Sequence, residues 1–186
     1  MGQNIVLLGF MGTGKTVVGK ELAQRLRYRY IDTDSIIVTM ANKSIPRIFA
    51  EDGEPHFRDL ESRATECVAQ LRHHVIATGG GIVIRDENLA NLRRAGPLVC
   101  LRANPNVIYQ RTHSNTYRPL LQASNPLRII KQLLDQRAAQ YAKADVHIDT
   151  SYLTVSEVVE QVLAALDRLA RQRGKKHFLL DKHNTR

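Results

Sequence analysis

Gly9-Phe10-Met11-Gly12-Thr13-Gly14-Lys15-Thr16 assembles the residue types that hold a polyphosphate. The spacing is G-x-x-x-x-G-K-[ST]; the apolar run Ile5–Leu8 precedes it, and Val18, Leu22 and Leu26 then fall on one helical face. Glycines here permit turns that a Cβ would forbid, so successive N–H groups can point at one anion. The helix that opens near Lys15 adds unpaired N–H groups and the positive end of its dipole. Lys15 supplies a cation for the outer phosphates, and the Thr16 hydroxyl a ligand for Mg2+. A nucleoside-triphosphate site is the expectation.

Further chemistry is spread along the chain. Tyr30-Ile31-Asp32-Thr33-Asp34 ends a strand-like run, and alternation in extended backbone would turn both carboxylates to one side. Either they form a paired acidic site at the sheet's carboxyl edge, or Asp34 or Ser35 caps the helix that runs through Met40. Glu61 stands in the otherwise apolar stripe Phe57, Leu60, Ala64, Val68, Leu71, with Arg58 at i−3. It is a buried charge with a partner or half of a surface pair. Val75-Ile76-Ala77 runs into Thr78-Gly79-Gly80-Gly81. Three glycines fit a backbone that something approaches closely, or else a flexible loop. No acidic residue follows this strand, where many NTPases carry a metal-holding Asp, so Asp32 is the candidate to hold the metal's waters. Residues 112–121 break every periodicity and read as a lid-like loop with one cation, Arg118. Arg137 falls at the edge of the inward face of its helix, where a snorkelling surface arginine is the plainer reading.

Five β-type runs must position these groups: Ile5–Leu8, Arg29–Ile31, Val75–Ala77, Pro97–Leu101 and Val146–Ile148. They alternate with helical patterns, which predicts one α/β domain with a parallel sheet between helical layers. Ser44 reads as a helix cap, Asn125-Pro126 as cap and first turn, and Thr154-x-x-Glu157 as a capping box ahead of an apolar stripe that includes Val155. The 186 residues suit a single core. No run approaches the length of a membrane span, and no leader-like segment opens the chain. Cys67 and Cys100 read as buried, reduced thiols in a cytoplasmic protein, and none of the seven histidines has ligand spacing. The formal charge of +9 is concentrated at the C-terminus. Residues 167–186 carry seven basic and two acidic residues, which leaves a mildly basic body suited to polyanionic ATP.

Taken in order, Asp32-Thr33-Asp34, Ile48-Phe49, Gly53-Glu54 with Phe57-Arg58 and Glu61, Thr78-Gly79-Gly80-Gly81, Arg118-Pro119-Leu120, and Arg137 followed by Tyr141 resemble the shikimate kinases, small P-loop enzymes of the nucleoside-monophosphate-kinase type. The match runs from Ile5 to about Leu166. The resemblance implies a three-layer fold with a five-stranded parallel sheet ordered 2-3-1-4-5. It implies one kinase domain over 1–170, a mobile substrate-binding region over about 33–61, a lid over about 112–124, and a basic tail over 171–186. It also implies the reaction, in which MgATP phosphorylates the 3-hydroxyl of shikimate. Asp34 would hold the attacking hydroxyl and take its proton. Arg58 and Arg137 would clamp the carboxylate, with Phe49, Phe57, Glu61, Gly79, Gly80 and Gly81 around the substrate. Gly12, Thr13, Gly14, Lys15, Thr16, Arg111 and Arg118 would hold ATP, Arg111 beside the adenine and Lys15 and Arg118 on the transferring phosphoryl group. One Mg2+ would bind Thr16 directly and Asp32 through water. Two positions depart from the pattern: Val17 replaces a frequent second hydroxyl, and no proline stands near Val155.

The implied protein is a cytoplasmic monomer whose partners are ATP and shikimate, without nucleic acid or membrane. Two rivals remain at this point. One is a gluconate-type kinase of the same fold. The other is a non-catalytic P-loop binding module, whose tail-dependent binding to nucleic acid would fall steeply with salt.

Overall fold

The computed structural model describes residues 4–113 and 125–174. Strand β1 (Ile5–Leu8) lies at the centre with all four side chains buried. Around it run β2 (Arg29–Asp32), β3 (His74–Ala77), β4 (Leu98–Arg102) and β5 (Val146–Asp149), in the order β2-β3-β1-β4-β5 and parallel throughout. The register pairs Val6 with Ile76 on one side and with Leu98 on the other. Alternation along β1 divides the core. Ile5 and Leu7 pack with α1 (Lys15–Leu26) and α8 (Val155–Gln172). Val6 and Leu8 pack with α4 (Gly53–Ala69), α5 (Asp86–Ala95) and Tyr141 of α7 (Pro126–Tyr141). A sheet covered on both faces needs continuous apolar strands, which is why β1 shows no polar alternation.

A second, smaller core lies over the carboxyl edge. Ile37 of α2 (Thr33–Ala41), Ile48 of α3 (Ile45–Glu51) and Phe57, Leu60 and Ala64 of α4 form it. Phe10, Ile108 of α6 (Pro105–Thr112) and Ile130 of α7 make a further cluster under the loop after β1.

The caps at Asn125 and Thr154 form as expected: Asn125 accepts from Arg128 N–H, and the Thr154–Glu157 capping box is complete. Ser44 occupies its cap position, but its hydroxyl makes no capping bond. Val155 departs from the expected core stripe and is exposed, because as the first residue of α8 it lies beyond the sheet that the following turns cover. Cys67 is also exposed, on the outer face of α4, whereas Cys100 in β4 is buried. The extended run after Tyr30 stops at Asp32, and Asp34 lies in the first turn of α2. No helix among the described residues is long and apolar enough to cross a membrane.

Candidate active site

The chain leaves β1 through the phosphate loop, which turns at Gly12 (φ 77°) and Gly14 (φ 91°) before α1 begins. The Thr13 hydroxyl donates to the Phe10 carbonyl at 2.8 Å. Thr13 is buried, so it shapes the loop and does not face the space above it. Lys15 Nζ donates to the carbonyls of Gly9 and Phe10, each at 2.8 Å, and arches back over the loop. Helix α1 has no side-chain cap and no acidic residue in its first turn. Its N-terminal N–H groups and dipole are thus left for an anion. On the outer side, Arg111 of α6 donates to the carbonyls of Gly12 (3.3 Å) and Thr150 (2.8 Å), tying the loop to the segment after β5.

The two aspartates meet through a cap and not through strand alternation. Asp32 is the N-cap of α2, and its Oδ1 accepts from Asp34 N–H at 3.0 Å. Its Oδ2 accepts from the Tyr30 hydroxyl at 3.2 Å. Asp32 is therefore fixed by two donors and fixes Asp34 in turn. Burial, and then the charge of Asp32, pushes the Tyr30 hydroxyl up to about 12, so it stays a donor at neutral pH.

Glu61 is a buried charge, 1% exposed, with a partner: Arg58 Nη1 donates to its Oε2 at 2.6 Å. Glu54 Oε1 accepts from Nε and Nη2 of Arg58 at 3.1 and 2.7 Å, so two carboxylates grip one guanidinium. Burial raises the Glu61 carboxyl above the ordinary carboxylate range, and Arg58 offsets part of that rise. The three glycines are a close-approach site. A Cβ on Gly79 would stand 2.7 Å from Asp34 Oδ1, and one on Gly81 would overlap Arg58 Nη1. Gly79 N–H donates to the Thr33 hydroxyl at 3.1 Å, which anchors the loop to α2. Arg137 does not snorkel. It is 7% exposed, donates from Nη1 to the Gly80 carbonyl at 3.1 Å, and lies 5.6 Å from the Phe10 ring centroid.

These groups line one cavity of about 650 Å³. Its walls include Gly12, Gly14, Lys15, Thr16 and Arg111 of the phosphate-loop region, and Asp32 and Asp34. Phe49, Phe57, Arg58, Glu61, the three glycines and Arg137 line the remainder. Thr13 is not on the wall, and Arg118 lies outside the described residues. Sequence reasoning missed the apolar wall of Val38, Ile45 and Pro46, which carries no chemical signature, and the structural parts played by Tyr30 and Tyr141.

A phosphate loop sharing one cavity with paired aspartates and two arginines, over a 2-3-1-4-5 sheet, marks a P-loop kinase for small molecules. The family model for shikimate kinase matches residues 11–167. A shikimate kinase of Thermodesulfovibrio yellowstonii is 46% identical over 90% of this chain and 97% of its own length. The structure of shikimate kinase from Acinetobacter baumannii in complex with shikimate superposes with a TM-score of 0.85 at 32% identity, covering 93% of this chain and 95% of that one. That of the Aquifex aeolicus enzyme gives 0.76 at 32% identity, covering 90% and 98%. The chain belongs to the shikimate kinase family, and is thereby an ATP-dependent kinase.

Proposed function

We propose that this chain transfers the γ-phosphoryl group of MgATP to the 3-hydroxyl of shikimate, with the residues below in the stated roles. The observation that carries the reading is the single cavity in which Lys15 and Thr16 share walls with Asp34, Arg58 and Arg137. Phosphoryl transfer needs positioning and charge neutralisation more than covalent chemistry, and the cavity offers both.

Asp34 holds the acceptor hydroxyl and takes its proton. Arg58 and Arg137 approach from different helices and clamp the carboxylate, since a planar fork matches two carboxylate oxygens. Phe49, Phe57, Glu61 and the backbone of Gly79, Gly80 and Gly81 enclose the ring. Gly12 and Gly14 present N–H groups to the phosphates on a loop that Thr13 shapes from beneath, with Arg111 beside the base. Lys15, joined by Arg118, neutralises the transferring group. The oxygen donors at Thr16 and Asp32 suit Mg2+, which takes one or two protein oxygens and completes its shell with phosphates and water. Thr16 would hold it directly and Asp32 through water. Bound there, the ion neutralises charge on the β- and γ-phosphates.

The working unit in this reading is a cytoplasmic monomer with ATP and shikimate as its partners and no part for nucleic acid or membrane. It is one kinase domain over 1–170, in which 33–61 bind substrate, 112–124 form a lid and 171–186 a basic tail. A coupled ADP-release assay with shikimate, quinate and gluconate side by side tests it. Turnover with shikimate at least 100-fold above the other two is expected, and comparable turnover with gluconate would overturn it. Sedimentation at working concentration tests the monomer.

A further inference from the structure

The Gly80 carbonyl is shared. Arg137 Nη1 donates to it at 3.1 Å, and the Tyr141 hydroxyl at 2.6 Å. A carbonyl has two lone pairs, and here both are taken by donors one turn apart on α7. Gly80 itself lies against the phosphate loop, where a Cβ would stand 3.3 Å from Met11 N and 3.6 Å from the Gly9 carbonyl oxygen. The peptide between Gly80 and Gly81 has glycine on both sides, so no Cβ hinders its rotation. Beyond it, Gly81 abuts Arg58. Tyr141 is 6% exposed, and its ring belongs to the buried apolar cluster that also holds Ile82, Val83 and Cys100. Nothing in that packing requires a hydroxyl.

We propose that Tyr141 is a positioning residue for the acceptor site: its hydroxyl pins the Gly80 carbonyl, which sets the direction of the Arg137 guanidinium and the spacing between the two carboxylate-reading arginines. With the hydroxyl removed, the peptide can rotate and Arg137 loses the fixed acceptor that aims its remaining N–H groups into the cavity. Burial raises the Tyr141 hydroxyl well above its ordinary range, so it remains a donor at neutral pH. This inference rests on the reading of Arg137 as a carboxylate ligand.

Tyr141→Phe keeps the ring and deletes the donor. It should raise KM for shikimate roughly five- to tenfold, the size of one buried hydrogen bond, with KM for ATP within about twofold. Calorimetric binding of shikimate and ADP to the full chain should show the same split. In an Arg137→Ala background, Tyr141→Phe should add little, because the group it positions is gone. A purely structural tyrosine would lower Tm and weaken both substrates alike, in both backgrounds. An unchanged or lowered KM for shikimate, or equal losses in the two backgrounds, overturns the inference. If Arg137→Ala also leaves KM for shikimate unchanged, the clamp reading falls and this inference with it. If Arg137→Ala raises KM and Tyr141→Phe does not, this inference alone falls.

Discussion

Gly81→Ala asks whether the glycine loop serves the backbone or the site. Gly81 has φ −94° and ψ −6°, at the bridge edge of the right-handed region, where φ is negative and alanine is allowed. The obstacle to a methyl group is Arg58, whose Nη1 it would overlap and whose Cζ would stand 3.2 Å away. Restoring a normal contact moves the guanidinium by about 1 Å. That shift comes out of the 2.6 Å bond to Glu61 and the aim of Arg58 at its ligand. Misplacement by about 1 Å can cost about 10²-fold, and losing one arm of a desolvated charge cluster costs about 2–5 kcal/mol. Gly81→Ala should therefore fold, with Tm within a few degrees of the parent. Its kcat/KM for shikimate should fall about 10²-fold, and KM for ATP should stay within a few-fold. Thermal melts and initial-rate kinetics on one preparation measure both. The decisive comparison is Gly81→Ala/Arg58→Ala, which should match Arg58→Ala alone because the clash has been removed. A collapse of Tm, or a shikimate kcat/KM at the parental value, would refute the reasoning.

Asp34→Asn keeps the shape and loses the base, so kcat should fall about 10²–10⁴-fold while calorimetric ATP affinity is retained; more than about a tenth of parental kcat would remove Asp34 from the base role. Arg118→Ala should lower kcat by up to about 10³-fold, and a change confined to KM for shikimate would show that Arg118 has another job. Glu61→Gln should steepen the acid limb of the stability curve. The folded carboxyl is raised by burial, so the folded state holds its proton more tightly than the unfolded chain. Its contribution to stability is therefore most favourable below the unfolded value and declines as pH rises through the folded one. Glu61→Gln removes that decline, so its stability in melts should rise more with pH across that window than the parent's, and an unchanged slope would mean that Arg58 cancels the effect of burial.

The fold was legible because the central strands announced themselves by apolar runs between turn residues, and the phosphate motif fixed which strand stood first. The strands differ from expectation mainly by one residue at an end, as with Asp32, whose side chain is the cap of α2. The aspartate pair was legible as a pair, but its geometry was not. Alternation was the wrong mechanism, since only a hydrogen bond between a side chain and a backbone N–H two residues on makes the turn. Spacing alone favoured a surface arginine at Arg137, and only the resemblance put it in the site, because its acceptor, the Gly80 carbonyl, is a main-chain atom far away in sequence. Carbonyls leave no trace in a string of residue names. The buried state of Glu61 was undecidable from spacing, since an i,i+3 pair looks the same on a surface as beneath a cavity.

The contrast between the two cysteines has a practical side. The chain contains no tryptophan, so it offers no indole signal with which to follow substrate binding. Cys67 is exposed and Cys100 is buried, so a maleimide fluorophore should attach at one position without engineering. That position is on α4, nine residues from Arg58, or about 13 Å along the helix axis. It lies on the side turned away from the cavity, where a dye would not block it. A dye there rides on the helix that carries Arg58 and Glu61, and gives an optical record of that helix in real time from the unmodified sequence.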